Sequence, residues 1–213
     1  MAQIVPTVTA YDPHQFREQL ERIAPFAERI HLDLMDGDLP PTKSPPLSQI
    51  WLPDNIPTDI HIMYRRPAQE IRRLIELKPY MVILHAEAEG MFEEIAQVLK
   101  GEHIKVGVAL LPQTEAKLII PALQQIDHVL IFSGNFGHYG GKADLSLLGK
   151  ISEIKAHKPH VEIGWDGGIN EENVKTLVHN GVDVLNVGGF IQRAVDPRAA
   201  YAILEELAEH KND

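Results

Sequence analysis

The chain has no cysteine, which excludes a disulfide framework, a thiol nucleophile and any thiolate-held metal. Basic residues are few beside acidic ones: 20 Lys and Arg against 30 Asp and Glu give a formal net charge of −10 with the histidines neutral. Nucleic-acid phosphates and anionic membrane surfaces attract basic protein, so neither is expected as a partner. No stretch approaches the roughly 18–20 consecutive apolar residues that span a bilayer. The start, Met1-Ala2-Gln3-Ile4-Val5-Pro6, lacks the basic residues and the apolar run of a signal peptide, and the expected location is the cytoplasm. Glycine and proline, 15 of each, are too few for a low-complexity chain. What is present is 44% hydrophobic residues over 213 positions, enough for the core of one domain. There is also a surplus: 11 histidines.

Short apolar runs alternate with amphipathic stretches from end to end. Strands are expected at 3–9, 29–34, 58–63, 80–85, 103–110, 128–132, 160–165 and 182–187, and helices at 13–27, 67–77, 91–100, 115–123, 144–156, 171–180 and 198–210. The second connection is Pro-rich and carries at most a short helix around 47–51. The strands are nearly all apolar instead of alternating, as parallel strands covered on both faces are. Asp12-Pro13 and Asp196-Pro197 read as a cap followed by Pro at the first helical position, and Asn180-Gly181 as a left-handed helix stop. Eight such units of about 27 residues fit a small (β/α)8 TIM barrel, an α/β fold in a single domain over 1–213. The alternative, an open doubly wound sheet, lacks a Gly-rich dinucleotide turn after the first strand.

In a barrel, chemistry sits at the C-terminal ends of the strands. The second strand ends His31-Leu32-Asp33-Leu34-Met35-Asp36-Gly37, and its i, i+2 spacing puts His31 and Asp33 on one face. The third strand ends with His61 in an apolar run, and the seventh with Asp166-Gly167-Gly168. Two His and two Asp at one barrel mouth make an N2O2 set suited to one divalent ion: Zn, Mn, Co or Fe(II). Taken singly, each residue reads more readily as a hydrogen-bonded core His or a capping Asp; four at corresponding strand ends reverse that. His85 and Glu87, at the fourth strand's end, read either as support for that centre or as a plain strand-end pair. Glycine-rich segments follow the late strands: Gly137, His138, Gly140 and Gly141 after the sixth, Gly167 and Gly168 after the seventh, Gly188 and Gly189 after the eighth. Backbone N–H groups there can hold a phosphate without a basic side chain, which lets an acidic protein bind an anion. His14, His157, His160, His179 and His210, on helices or in loops, and His103 and His128, at strand starts, read as solvated surface.

These motifs resemble, in order and spacing, those of the ribulose-phosphate 3-epimerase family along nearly the whole chain. The family's H-x-D-x-M-D-G is matched at 31–37, its H-L-M by His61-Ile62-Met63 with Pro67 beyond, and its H-x-E-A by His85-Ala86-Glu87-Ala88. Its G-V-A-L-x-P-x-T is matched at 107–114 and its D-G-G-I at 166–169. The resemblance implies an isomerase of the pentose phosphate pathway, assembled as a homo-oligomer and acting on a small phosphorylated sugar. It assigns the metal to His31, Asp33, His61 and Asp166, and makes Asp33 and Asp166 the acid and base that invert C3 through a cis-enediolate. Met35 and Met63 match methionines that line the intermediate.

There are departures. The family's P-S-I-L-S-A-D is Pro6-Thr7-Val8-Thr9-Ala10-Tyr11-Asp12, with Ala10 at a substrate-contacting Ser. The loop at 133–142 loses a Pro and gains about one residue, and Phe132 replaces a Met. Leu111 stands where Asn is frequent, Trp165 precedes the catalytic Asp, and Gly189 replaces a phosphate-site Ser. Three readings follow: a ribulose/xylulose 5-phosphate 3-epimerase, a hexulose 6-phosphate epimerase of the allulose 6-phosphate type, and a sugar-phosphate-binding paralogue with little turnover.

Overall fold

The computed structural model describes residues 2–209. Eight strands, β1 (Gln3–Thr9), β2 (Ile30–Met35), β3 (Thr58–Met63), β4 (Met81–His85), β5 (Lys105–Leu110), β6 (His128–Phe132), β7 (Glu162–Asp166) and β8 (Val184–Val187), close into one parallel barrel in chain order. The expected TIM barrel is therefore the fold. The helices are α1 (Pro13–Ile23), α2 (Ile71–Leu77), α3 (Phe92–Gly101), α4 (Gly149–His157), α5 (Val174–His179), α6 (Gly189–Gln192) and α7 (Pro197–Glu209). His210, placed in the last helix by its sequence pattern, lies outside the described residues.

Where the pattern and the structure part, local chemistry gives the reason. α1 stops at Ile23 because Pro25 has no N–H to extend it. The helix expected at 115–123 is two 3-10 turns, Ala116–Leu118 and Ile120–Gln125, with Pro121 inside the second. Pro67 likewise opens a 3-10 turn, Pro67–Glu70, ahead of α2, and the short helix near 47–51 is the 3-10 turn Leu47–Gln49. The caps form as expected: the Asp12 carboxylate accepts from the N–H groups of His14 (2.8 Å) and Gln15 (2.9 Å), Asp196 accepts from Ala199 N–H (3.0 Å), and Gly181 takes φ +90°.

Alternate strand residues face inward and outward. The outward set, including Val8, Leu32, Ile60, Val108 and Trp165, forms the main core against the helices, while Met81, Ile83, Ala109 and Leu130 make a smaller apolar plug among the buried residues. Register then places the polar inward residues. His61 lies beside Asp33, Asp33 beside Thr9, and Asp166 beside Asn186.

Candidate active site

At the mouth of the barrel Asp33, Asp166, His31 and His61 come together, all buried, each offering a ligand atom within 4.8 Å of the others. Nδ1 of His61 lies 3.0 Å from Asp33 Oδ1 and 3.7 Å from Asp166 Oδ2, and Nε2 of His31 lies 3.3 Å from Asp33 Oδ1 and 3.8 Å from Asp166 Oδ2. Both ring nitrogens of His31, and Asp166 Oδ2, are buried without a hydrogen-bond partner. Such groups cost free energy unless something binds them. Two carboxylates and two imidazoles turned toward one point, with no Lys or Arg among them, form a donor set that fits a divalent cation.

The electrostatics agree. Burial, followed by the charge of Asp33, raises the pKa of Asp166. Asp33 moves the other way: burial opposes its charge, but the imidazoles of His31 and His61 beside it outweigh burial and lower it. Burial lowers His61 to about 3, so its ring is neutral at pH 7, as a metal ligand must be. Asp33 Oδ2 also accepts from the Thr9 hydroxyl at 2.6 Å.

A cavity of about 310 Å³ opens above this centre. Of the residues singled out in the sequence, Asp33, Met63, Gly137, His138, Gly140, Gly141, Asp166, Gly167, Gly168, Gly188 and Gly189 line it. His31 and His61 lie fully buried at the strand ends below. Met35, by contrast, is buried outside the lining, its sulfur 3.1 Å from Thr42 Oγ1. Ala10 packs in the outer core, whereas Thr7 and Thr9 face the cavity. Gly167 and Gly168 are required by close approach. A Cβ on Gly167 would sit 2.1 Å from Gly134 N, and one on Gly168 2.1 Å from Ala143 N, both at positive φ. The two loops therefore pack backbone against backbone.

Among the lining residues that sequence reasoning missed are Thr7, Asn186, Tyr139 and Arg193. Thr7 Oγ1 and both amide atoms of Asn186 are buried with no hydrogen-bond partner. The signal was available, since both are polar residues on otherwise apolar strands, like His31 and Asp33. Tyr139 accepts from Thr9 N–H at 2.8 Å, and its ring lies 2.8 Å from where a Gly188 side chain would begin. Arg193 is the cation in the lining, 3.9 Å from the Cβ positions of Gly140 and Gly189. His128 corrects the surface reading: it is 1% exposed, and its Nδ1 lies 2.7 Å from Glu162 Oε2. His14, His103, His157, His160 and His179 are exposed.

Fold and site together define a (β/α)8-barrel enzyme with a carboxylate–imidazole centre at the strand C-termini, the end where this fold does its chemistry. The chain belongs to the ribulose-phosphate 3 epimerase family, whose model matches residues 3–192, and is by class an isomerase. It is similar to the ribulose-phosphate 3-epimerases of Helicobacter pylori (29% identity; 97% of this chain, 98% of the relative), Aquifex aeolicus (30%; 97% and 97%) and Bacillus subtilis (28%; 94% and 96%). Among solved structures, 3-hexulose-6-phosphate synthase from Salmonella typhimurium (13% identity, TM-score 0.73, 97% and 98% covered) and KGPDC from Streptococcus mutans (9%, 0.75, 98% and 98%) share the fold. Among the described residues, no helix is long and apolar enough to cross a membrane.

Proposed function

We propose that this protein interconverts D-ribulose 5-phosphate and D-xylulose 5-phosphate, or a close analogue, by moving the C3 proton between Asp33 and Asp166. The observation that carries the reading is the convergence of these two carboxylates, from β2 and β7, with His31 and His61 around one point. Inversion without a redox cofactor needs two proton-transfer groups on opposite faces of the reacting carbon, and two carboxylates on well-separated strands supply them. His31, Asp33, His61 and Asp166 would hold the divalent ion. When bound, the ion supplies the Lewis acidity that a weakly acidic C–H beside a carbonyl requires.

At the other end of the cavity, the Gly167-Gly168 and Gly188-Gly189 backbone and the Arg193 guanidinium would receive the phosphate. Thr7 and Asn186, which line the cavity with unpaired polar atoms, would bind substrate hydroxyl or carbonyl groups. Assembly into homo-oligomers carries over from the family resemblance, and sedimentation reads it directly.

Metal-replete protein incubated with ribulose 5-phosphate in deuterated water is expected to place deuterium at C3 of both pentulose phosphates, as read by NMR. Absence of exchange with every pentulose and hexulose phosphate tested would overturn the reading. The rebuilt loop, with Tyr139 against Gly188, bounds the phosphate end and makes chain length of the sugar the point to test. A higher kcat/KM for a hexulose 6-phosphate would transfer the same chemistry to an allulose 6-phosphate type of substrate. Tight binding without exchange would indicate a paralogue with little turnover.

A further inference from the structure

A chain of hydrogen bonds runs from the metal-facing centre to a carboxylate outside it. Nε2 of His61, the nitrogen turned away from Asp33, lies 2.9 Å from Nε2 of His85. Nδ1 of His85 lies 2.9 Å from Glu87 Oε2. The other oxygen of Glu87 is committed elsewhere, accepting from Leu111 N–H at 3.0 Å and from the Thr114 hydroxyl. Lys150 donates to the carbonyls of Leu111 (2.8 Å) and Pro112 (3.0 Å), which pins the loop that carries both donors. The His61 and His85 rings stack with centroids 4.9 Å apart, and Phe136 meets His85 edge-on at 5.1 Å. The His85 side chain has no solvent exposure, so water offers it no alternative partner.

Hydrogen placement along this chain is tightly constrained. Two carboxylates compete for a hydrogen here, Asp33 Oδ1 at 3.0 Å from His61 Nδ1 and Glu87 Oε2 at 2.9 Å from His85 Nδ1. With both rings neutral, only one hydrogen remains besides the one between them. A cation at the metal position takes up Asp33, and Glu87 then holds the hydrogen on His85 Nδ1. Two ring nitrogens 2.9 Å apart need one hydrogen between them. His61 can ligate through Nδ1 only if that nitrogen is bare, and a neutral His61 then carries its hydrogen on Nε2. The ligating state therefore has hydrogens on His61 Nε2 and His85 Nδ1, with His85 Nε2 as the acceptor between the rings. We infer that Glu87, acting through His85, selects the His61 tautomer that presents a bare Nδ1 to the metal position. The sequence left His85 and Glu87 open between support for the centre and a plain strand-end pair; the geometry assigns them to support. Both are positioning residues. The inference rests on the metal site proposed above and names what prepares one of its ligands.

The substitution Glu87→Gln tests it because of where the amide must turn. Leu111 N–H and the Thr114 hydroxyl claim the single remaining oxygen, so the NH2 group faces His85 Nδ1 and donates. Each ring then reverses: His85 carries its hydrogen on Nε2, and His61 carries its own on Nδ1, where it blocks ligation. Glu87→Ala removes the acceptor without installing a donor. A role confined to filling space or holding the loop makes Glu87→Ala the more damaging change, since Gln is isosteric with Glu; control of the tautomer makes Glu87→Gln the more damaging.

The measurement is the affinity of full-length wild type and the two variants for Zn2+ and Mn2+, by competition with a chelator. Glu87→Gln is expected to weaken binding at least about tenfold, and more than Glu87→Ala. Imidazole 15N–1H correlation spectra supply a readout independent of activity and of any variant. Zn2+-loaded wild type should show hydrogens on His61 Nε2 and His85 Nδ1. Unchanged affinity in Glu87→Gln, a larger loss in Glu87→Ala, or a hydrogen on His85 Nε2 in the loaded wild type would each overturn the inference. If wild type binds neither ion, the metal reading falls and this inference with it. If wild type binds and Glu87→Gln binds equally, only the relay falls.

Discussion

The barrel carries acidic and imidazole groups at both ends, and the two clusters are built differently. At the floor, Arg29 donates from Nε to Asp59 at 2.9 Å, and from both terminal nitrogens to Glu162 at 3.2 Å each. Nδ1 of His128 meets the same Glu162 at 2.7 Å, and Arg29 lies over the Tyr80 ring, 4.9 Å from its centroid. Each carboxylate there faces a permanent cation. At the mouth, Asp33 and Asp166 face each other and two imidazoles, and His31 is left without a hydrogen bond. The floor is not free of unpaired atoms, since Asp59 Oδ1 and His128 Nε2 are buried without a hydrogen-bond partner, but its negative charge is matched by Arg29. The mouth has no such counter-charge from the chain. A buried carboxylate cluster is thus informative about function when its counter-charge is missing, because burial without that charge costs stability.

Substitutions that exchange the properties of the two ends test this contrast. The largest effect belongs to the mouth. Asp33→Asn and Asp166→Asn should each slow deuterium exchange at C3 by on the order of 10²–10⁴-fold, with the circular-dichroism spectrum unchanged. Because burial and Asp33 raise the pKa of Asp166 above its unfolded value, its ionised form costs stability at neutral pH. The metal-free Asp166→Asn protein should therefore melt no lower than wild type, and higher if the cost is appreciable. A fall in melting temperature would place a structural role at the mouth and break the contrast.

The floor should behave in reverse. Arg29→Met strands Asp59, which is fully buried, and is expected to lower unfolding free energy by about 3–5 kcal/mol in urea titrations. Its kcat, measured below the melting transition, should stay near wild type. A loss of kcat with stability intact would tie the floor to the chemistry.

The smallest effect is a pH dependence. Burial opposes charge on Glu162, but hydrogen bonding from His128 and Arg29 prevails and lowers its pKa to about 2. A carboxyl whose folded pKa lies below its unfolded value adds stability above the unfolded pKa, and that increment disappears as pH falls through the folded one. Wild type should lose stability between about pH 4.5 and pH 2, and Glu162→Gln should lose less over that window. Equal slopes would remove Glu162 from the floor's acid sensitivity.

Much of this was legible in the sequence. Strand order, parallel sense and the four residues of the carboxylate–imidazole centre follow from apolar runs ending in His, Asp and Gly-Gly, because register and inward facing are fixed by a period of two. Other features were missed or were not legible. Substitution by letter pointed to Ala10, while the strand's alternation turns Thr7 and Thr9 inward. His128 reads as an ordinary strand start until Glu162, 34 positions away in the chain, is brought against it. Tyr139 and Arg193 lie on loops whose paths depend on glycine contacts between segments, and no spacing rule predicts those.

The sequence by itself determined the barrel and the identity of its inward polar residues, because periodicity and turn chemistry are local properties of the chain. Only the tertiary structure decided which of those residues are neutralised within the fold and which face one another unpaired, because that depends on distances between groups brought together by closure of the barrel. Closure gave Asp59 its arginine and left Asp33 and Asp166 without one.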